Sequence, residues 1–351
     1  MLKTKSMATT IVARMILGSC LLAIPTLAVA QKGGPFDAHP GLQITRAYTS
    51  QYGPDAEEYN VIKSVTPVGV ELSYRDTRGI AASRLVLNKD RRTSETYLIG
   101  FDSRLPQSIP GTTSLGISAA TLQLLRRNGV APLRLMYDRQ LSTIPGVLQL
   151  VNDNVRFPVI VENQVVEMRA LIARGSFQKG NRSGTGYFTF LSDVNHPVLL
   201  TYSIRFSWEK TLRTVRTVRV SAGRSQQAAM EQTLRTIRRL DLYGIHFDFD
   251  KATIQPRSRQ LIGDIATTLN NNPRWKIEIR GHTDAIGKPE YNVKLSARRA
   301  QAVRDALVNR HKIKPARLLT IGVGMNEPKA SNKTLAGRAQ NRRVELARID
   351  R

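Results

Sequence analysis

Asp284 and Arg299 are the two residues of this sequence whose types and spacing could do chemistry together. On a 3.6-residue wheel Leu295, Ala302, Val303 and Ala306 fall on one arc, the pattern of a helix laid on a core, and Arg299 lands in the middle of it. A guanidinium does not lose its proton, so at a half-buried position it must face a carboxylate or an anionic ligand. The upstream candidate is Asp284, in a loop that begins Gly281-His282-Thr283-Asp284 and passes through Gly287. One acid from a loop and one base from the next helix have two uses. They can pair with each other as a structural bridge, or exchange that bond for a ligand carrying both an ammonium and a carboxylate.

The elements that must deliver these side chains follow from local pattern. A strand over Leu242–Phe247 leads to a helix starting at Pro256, a residue suited to a first turn. Leu261, Ile262, Ile265, Ala266 and Leu269 give that helix its buried stripe, and Asn270-Asn271-Asn272-Pro273 ends it. Strands over Lys276–Arg280, Leu318–Val323 and Val344–Ile349 complete a βαβαββ order, a small α/β sandwich with helices on one face of a mixed sheet. With right-handed crossovers, the Asp284 loop and the start of the Arg299 helix are neighbours across a shallow groove.

These residues carry a family resemblance. The runs Phe247-Asp248-Phe249-Asp250, Gly281-His282-Thr283-Asp284 with Gly287, Tyr291-Asn292 with Leu295-Ser296 and Arg299-Ala300, Gly322-Val323-Gly324 with Pro328, and Gly337-Arg338 with Asn341-Arg342-Arg343-Val344-Glu345 stand in order across the last third of the chain. In that order and spacing the region resembles the OmpA-like peptidoglycan-binding domain of bacterial envelopes. The resemblance implies a domain that holds the meso-diaminopimelate of the peptidoglycan stem peptide, without covalent bond, cofactor or turnover, with Asp284 and Arg299 as the clamp. A secondary wall would be formed by Phe249, Asp250, Thr283, Asn292, Leu295 and Arg343, the last meeting a second carboxylate. Each has a structural alternative: Asn292 as a helix cap, Leu295 as core, Arg343 as the partner of an acidic neighbour. Ala285 departs from the polar residue often found after the aspartate. His282, with no second catalytic group beside it, reads as a hydrogen-bonding loop residue rather than an acid or base.

At 351 residues the chain has room for two domains. Lys3, Lys5 and Arg14 precede an apolar run over Met15–Leu27, and Ala28-Val29-Ala30 offers a cleavage site, so residues 1–30 read as an export signal. Cys20, the one cysteine, follows Leu17-Gly18-Ser19 in the manner of a lipoprotein box. The apolar run continues well past it, which favours cleavage after Ala30 over lipidation at Cys20. A formal charge of +26 favours anionic partners. After export these are wall stem peptides first, then outer-membrane lipid or envelope proteins met through the basic surface, and no nucleic acid is expected.

Residues 31–56 read as an extended lead-in and 57–224 as a β-rich domain of unknown role. In it Val68, Val70, Leu72 and Tyr74 alternate with polar residues, as do Leu133, Leu135 and Tyr137. Longer strands are expected over Pro158–Ala173, Gly186–Leu191, Leu200–Phe206 and Leu212–Val220, with a hairpin loop over residues 178–184. One helix is bounded by Ser118 as N-cap and Asn128-Gly129 as stop. His39 and His196 lack neighbours at metal-ligand spacing, so no metal site is expected. Residues 225–239 form a helical connector with Ala229, Leu234 and Ile237 as its apolar side, and residues 240–351 form the OmpA-like domain. The expected fold class is α+β: a mostly antiparallel sandwich or curled sheet followed by the α/β sandwich.

Three functions compete: a wall-binding module tethering an exported β domain or the outer membrane to peptidoglycan, an outer-membrane β-barrel channel with a periplasmic anchor, and a charge-driven polyanion binder. The aromatic content of 6% and the arginines at 213, 216 and 219 within a strand speak against the barrel. The expected location is the periplasm or outer membrane of a Gram-negative-type envelope.

Overall fold

The computed structural model describes residues 34–49, 56–77, 79–99, 104–136, 141–195, 197–248 and 250–350. The export signal, Cys20, Tyr137, His196 and Phe249 lie outside the described residues. Two sheets organise the chain. The first is built from β1 (Gln43–Tyr48), β2 (Ala56–Val65), β3 (Gly69–Asp76), β4 (Ala81–Leu87), β5 (Thr96–Leu98), β6 (Thr112–Thr113), β7 (Val130–Met136), β8 (Thr143–Val161), β9 (Gln164–Lys179), β10 (Arg182–Leu191), β11 (Leu199–Phe206) and β12 (Arg213–Ser221). Helices α1 (Asn88–Thr93) and α2 (Ala119–Asn128) interrupt it. The second comprises β13 (Arg239–Leu242), β14 (Ile277–His282), β15 (Leu318–Gly324) and β16 (Val344–Arg348), with α3 (Gln227–Thr236), α4 (Arg259–Asn271), α5 (Pro289–His311) and α6 (Leu335–Asn341).

The twelve strands of the first sheet run β4-β3-β2-β1-β12-β11-β10-β9-β8-β7-β5-β6, and a further parallel pairing of β12 with β8 curls the sheet back on itself. Parallel pairs β5–β6 and β5–β7 sit at one end. This curled, mixed sheet differs from the all-antiparallel ring of an outer-membrane barrel. Its interior holds one apolar cluster around Leu122, Leu135, Phe188 and Tyr202 and another around Leu42, Ile44, Leu72 and Leu200. Helix α2 has the expected limits: Ser118 Oγ accepts from Thr121 N at 3.2 Å and Gly129 N closes on Leu125 O at 3.0 Å.

Two expectations for this region are corrected. Residues 43–48 are no part of an extended lead-in. They form β1, almost wholly buried between β12 and β2, because Ile44 fills the apolar interior and Ala47 packs on the C-terminal half. Residues 158–173 are two strands rather than one. Glu162 and Asn163, at φ 49° and 77°, make the two-residue turn that joins β8 to β9, which the run of valines on either side conceals.

In the second sheet the order is β13-β16-β14-β15, with β14 parallel to β15 and β16 antiparallel to both its neighbours. The first strand is Arg239–Leu242, earlier than the expected Leu242–Phe247. Beyond Leu242 the chain keeps only a bridge from Phe247 to Ile254. All five residues of the expected stripe on α4 are buried, beside Val303 and Leu307 of α5. Helix α3 is more than a connector. Met230 and Leu234 are buried in this same core, whereas Ile237 is 66% exposed. Among the described residues no helix is long and apolar enough to cross a membrane.

The two halves touch at several places. Leu335 and Ala339 of α6 pack on Ala47 and Val218. Asn163 accepts from Tyr243 N at 3.0 Å. Tyr59 of β2 lies edge-on to His246 and under the guanidinium of Arg257, 3.1 Å from the ring centroid.

Candidate functional site

Close backbone approach sets up the site. A Cβ at Gly281 would stand 2.2 Å from Ser296 O, and one at Gly322 would stand 2.5 Å from Val293 O. Bare glycines therefore let α5 lie directly on the ends of β14 and β15, which brings the loop after β14 against the first turns of the helix. In that loop Asp284 Oδ1 accepts from Ile286 N at 3.1 Å, and Gly287 takes φ +96° to return the chain to α5. Asn292 of α5 clamps the turn, donating from Nδ2 to Ile286 O at 3.1 Å and to Asp284 O at 3.4 Å. Asn292 is thus a buried tie between helix and loop; the N-cap position belongs to Lys288.

Asp284 and Arg299 line one cleft of about 380 Å³. They do not pair with each other, and the expected mutual bridge is corrected. Asp284 Oδ2 instead accepts from Arg342 Nη1 at 2.6 Å. The stem of Arg299 is drawn along the helix to the segment behind β13: Nε donates to Lys251 O at 3.0 Å, and the guanidinium stands 5.0 Å from the Phe247 ring centroid. Arg299 has no carboxylate at ion-pair distance among the described residues. Burial, and then the like charge of Arg342, push its pKa below the ordinary value, so an arriving carboxylate would relieve a real electrostatic cost.

Of the secondary wall, Asp250 accepts from Tyr291 Oη at 2.5 Å with its backbone at φ 57°. Thr283 is buried and donates its amide to Gly324 O at 2.9 Å. Leu295 is 5% exposed, so it serves the core and the cleft wall together. Arg343 takes its structural alternative as the partner of an acidic neighbour. Its side chain is 1% exposed, with Nε on Asp241 Oδ1 at 2.9 Å and Nη2 on Glu327 O at 3.2 Å, while Nη1 is buried without a hydrogen-bond partner and the residue lines the cleft. Its neighbour Arg342 takes the place facing Asp284. The adjacent arginines signalled that one would face each side of the chain, but not which.

Sequence reasoning also missed the far wall. Glu57 and Tyr59 of β2, Thr77 after β3 and Arg219 of β12 complete the cleft. Arg342 Nη2 donates to Glu57 Oε1 at 2.5 Å, and Arg219 Nη2 to Glu57 Oε2 at 2.5 Å. The four groups form one ionic chain: Asp284, Arg342, Glu57, Arg219. Burial would raise the Glu57 pKa and lower that of Arg342. The opposed charges more than offset this, holding Glu57 far below and Arg342 well above their ordinary values. No local pattern pointed to Glu57, because its partner lies 285 residues along the chain.

Two histidines border the cleft. Burial, then Arg343, Arg280 and Lys329, push His282 down to about 3. Burial, then Arg257 and Arg219, push His246 well below its usual value. Both rings are neutral at physiological pH. No group of three or more His, Cys, Asp or Glu is placed to hold a metal among the described residues.

Residues 246–342 match the OmpA family. Within this OmpA-like domain the chain is 44% identical over 101 residues to outer membrane porin F of Pseudomonas aeruginosa, covering 29% of this chain and 29% of that protein. It is 48% identical over 100 residues to outer membrane protein A of Bordetella avium, covering 28% and 51%. It is 39% identical over 102 residues to the peptidoglycan-binding protein ArfA of Mycobacterium bovis, covering 29% and 31%. The chain thus spans between about a third and a half of the length of these relatives. Among solved structures, the peptidoglycan-associated lipoprotein of Burkholderia pseudomallei aligns at 35% identity over 30% of this chain and 88% of that one, with a TM-score of 0.28.

Proposed function

We propose that the protein binds peptidoglycan without covalent bond or turnover, holding the meso-diaminopimelate of a stem peptide between Asp284 and Arg299, and so tethers its β-rich half to the wall. The observation that carries this reading is an acid and a base in one cleft, with no carboxylate at ion-pair distance from the base among the described residues. A ligand carboxylate replaces the Lys251 carbonyl on the Arg299 fork as a bidentate pair. The ligand ammonium adds to Asp284, whose oxygens keep lone pairs beyond the Ile286 amide and Arg342. The OmpA family match of residues 246–342 and the name of the relative ArfA support peptidoglycan as the partner. Outer-membrane relatives support an envelope location.

The test is calorimetric titration with a stem tripeptide ending in meso-diaminopimelate and with the same peptide amidated at the diaminopimelate side-chain carboxyl. The free acid should bind and the amide should lose most of its affinity. Equal affinities would remove Arg299 from the grip, and a purely charge-driven polyanion binder would respond to salt rather than to amidation.

A further inference from the structure

The β-rich half does more than ride on the OmpA-like domain, because it supplies one wall of the cleft and one link of its ionic chain. Glu57 is 8% exposed and belongs to β2, yet its carboxylate shares Arg342 with Asp284. We infer that Glu57 is a positioning residue that sets the ligand selectivity of the cleft: by taking half of Arg342, it leaves Asp284 charged enough to attract an ammonium. The inference rests on the proposed two-point grip and adds the β-rich half to it.

Charge counting carries the step. Along Asp284, Arg342, Glu57 and Arg219 two acids alternate with two bases, and the chain is neutral. Arg299, in the same cleft, has no carboxylate at ion-pair distance among the described residues, and Asp284 is the acid at the far end of the ionic chain from Arg219. Remove the charge of Glu57 and two outcomes are open to the pocket. Either Arg219 and Arg342 remain side by side, which makes the cleft cationic, or the sheets separate and Arg342 turns wholly to Asp284. Both weaken the hold on an ammonium, and the first strengthens the hold on a bare carboxylate. The site therefore prefers a zwitterion only while β2 is docked, and occupancy of the cleft and docking of the two halves favour each other.

An opposite reading makes Glu57 an internal competitor that fills the place of a ligand carboxylate; its loss would then tighten every ligand. The experiment separates the two. Full-length wild type and Glu57→Gln are titrated with the stem tripeptide and with pimelate, a dicarboxylate of the same carbon chain without ammonium groups. The ratio of the two affinities should fall about tenfold in Glu57→Gln, as expected for one charge at the edge of a partly desolvated site. An unchanged or increased ratio overturns the inference while leaving the two-point grip standing. A wild type that ignores the tripeptide overturns both. Should Glu57→Gln not fold, Arg219→Gln is read instead. It leaves the Glu57 charge wholly to Arg342, so the same ratio should rise, and no change in it overturns the inference equally.

Discussion

Glu57 and Glu58 are neighbours on β2, and the pleat sends them to opposite faces of the first sheet. Glu58 turns inward and meets Arg46, its register partner on β1, with the Arg46 side chain 3% exposed. Glu57 turns outward and meets Arg219 and Arg342. Both glutamates are buried and paired with arginine. The inner pair is closed, so it has nothing to exchange. The outer one is a link in a chain whose far end, Asp284, opens on a cleft. The contrast separates an ionic group that fixes a fold from one that can take part in binding: the distinction lies in whether the network lines a cleft, not in the depth of burial.

That comparison can be broken first at the closed pair. Arg46→Ala strands a buried carboxylate and should cost about 3–5 kcal/mol, seen as a lower denaturation midpoint, with the folded fraction binding the wall as before. Selective loss of binding in that variant would mean that the inner pair is coupled to the cleft. Next come Asp284→Ala and Arg299→Ala, each expected to lower affinity for peptidoglycan by about a hundredfold or more, with a smaller stability change than Arg46→Ala. The adjacent arginines sharpen the contrast further. Arg343→Ala takes the donor from Asp241 Oδ1 and from the Glu327 carbonyl, so it should lower stability by roughly 1–3 kcal/mol and spare binding. Arg342→Ala should instead disturb ligand selectivity.

Much of the site was legible because it is local. The Gly281-His282-Thr283-Asp284 loop, Gly287 and the arc around Arg299 lie within a few turns of sequence, and their types fix a loop packed on a helix. The stripe on α4 was equally plain, since a helix repeats its face every few residues. The partners were not legible. Whether Arg299 meets Asp284 depends on where a long side chain finds its stacking partner, here Phe247, and Arg342 and Arg343 differ only in the direction each takes at the mouth of β16. The first sheet hid more still. The turn at Glu162-Asn163 sits between two valine-rich strands, and Glu57 gains its meaning from a strand, a helix end and a loop brought together across most of the chain.

Acid offers a gentler probe. His282 has a folded pKa near 3 against an ordinary 6.5, so the unfolded chain binds the proton that the fold refuses. Its contribution is full above about pH 6.5 and is lost as pH falls toward the folded value. Glu57, whose folded pKa is also depressed, adds a loss below its own ordinary value near 4.5. The melting temperature should therefore fall between pH 7 and 5, and His282→Gln should reduce that fall while leaving the share of His246, whose pKa is also depressed, and the later loss from Glu57. The smallest effect is expected from Tyr291→Phe. It removes the exposed hydrogen bond to Asp250 and should leave the melting temperature essentially unchanged.

The central claim is that the cleft grips a zwitterion at two points, and co-sedimentation with purified peptidoglycan sacculi tests it most directly. Wild type, Asp284→Ala and Arg299→Ala are compared at equal concentration, with circular dichroism to show that all three are folded. The account predicts that wild type pellets with the sacculi and that both variants stay in the supernatant. Folded variants that pellet as well as wild type, or a wild type that does not pellet, would contradict it.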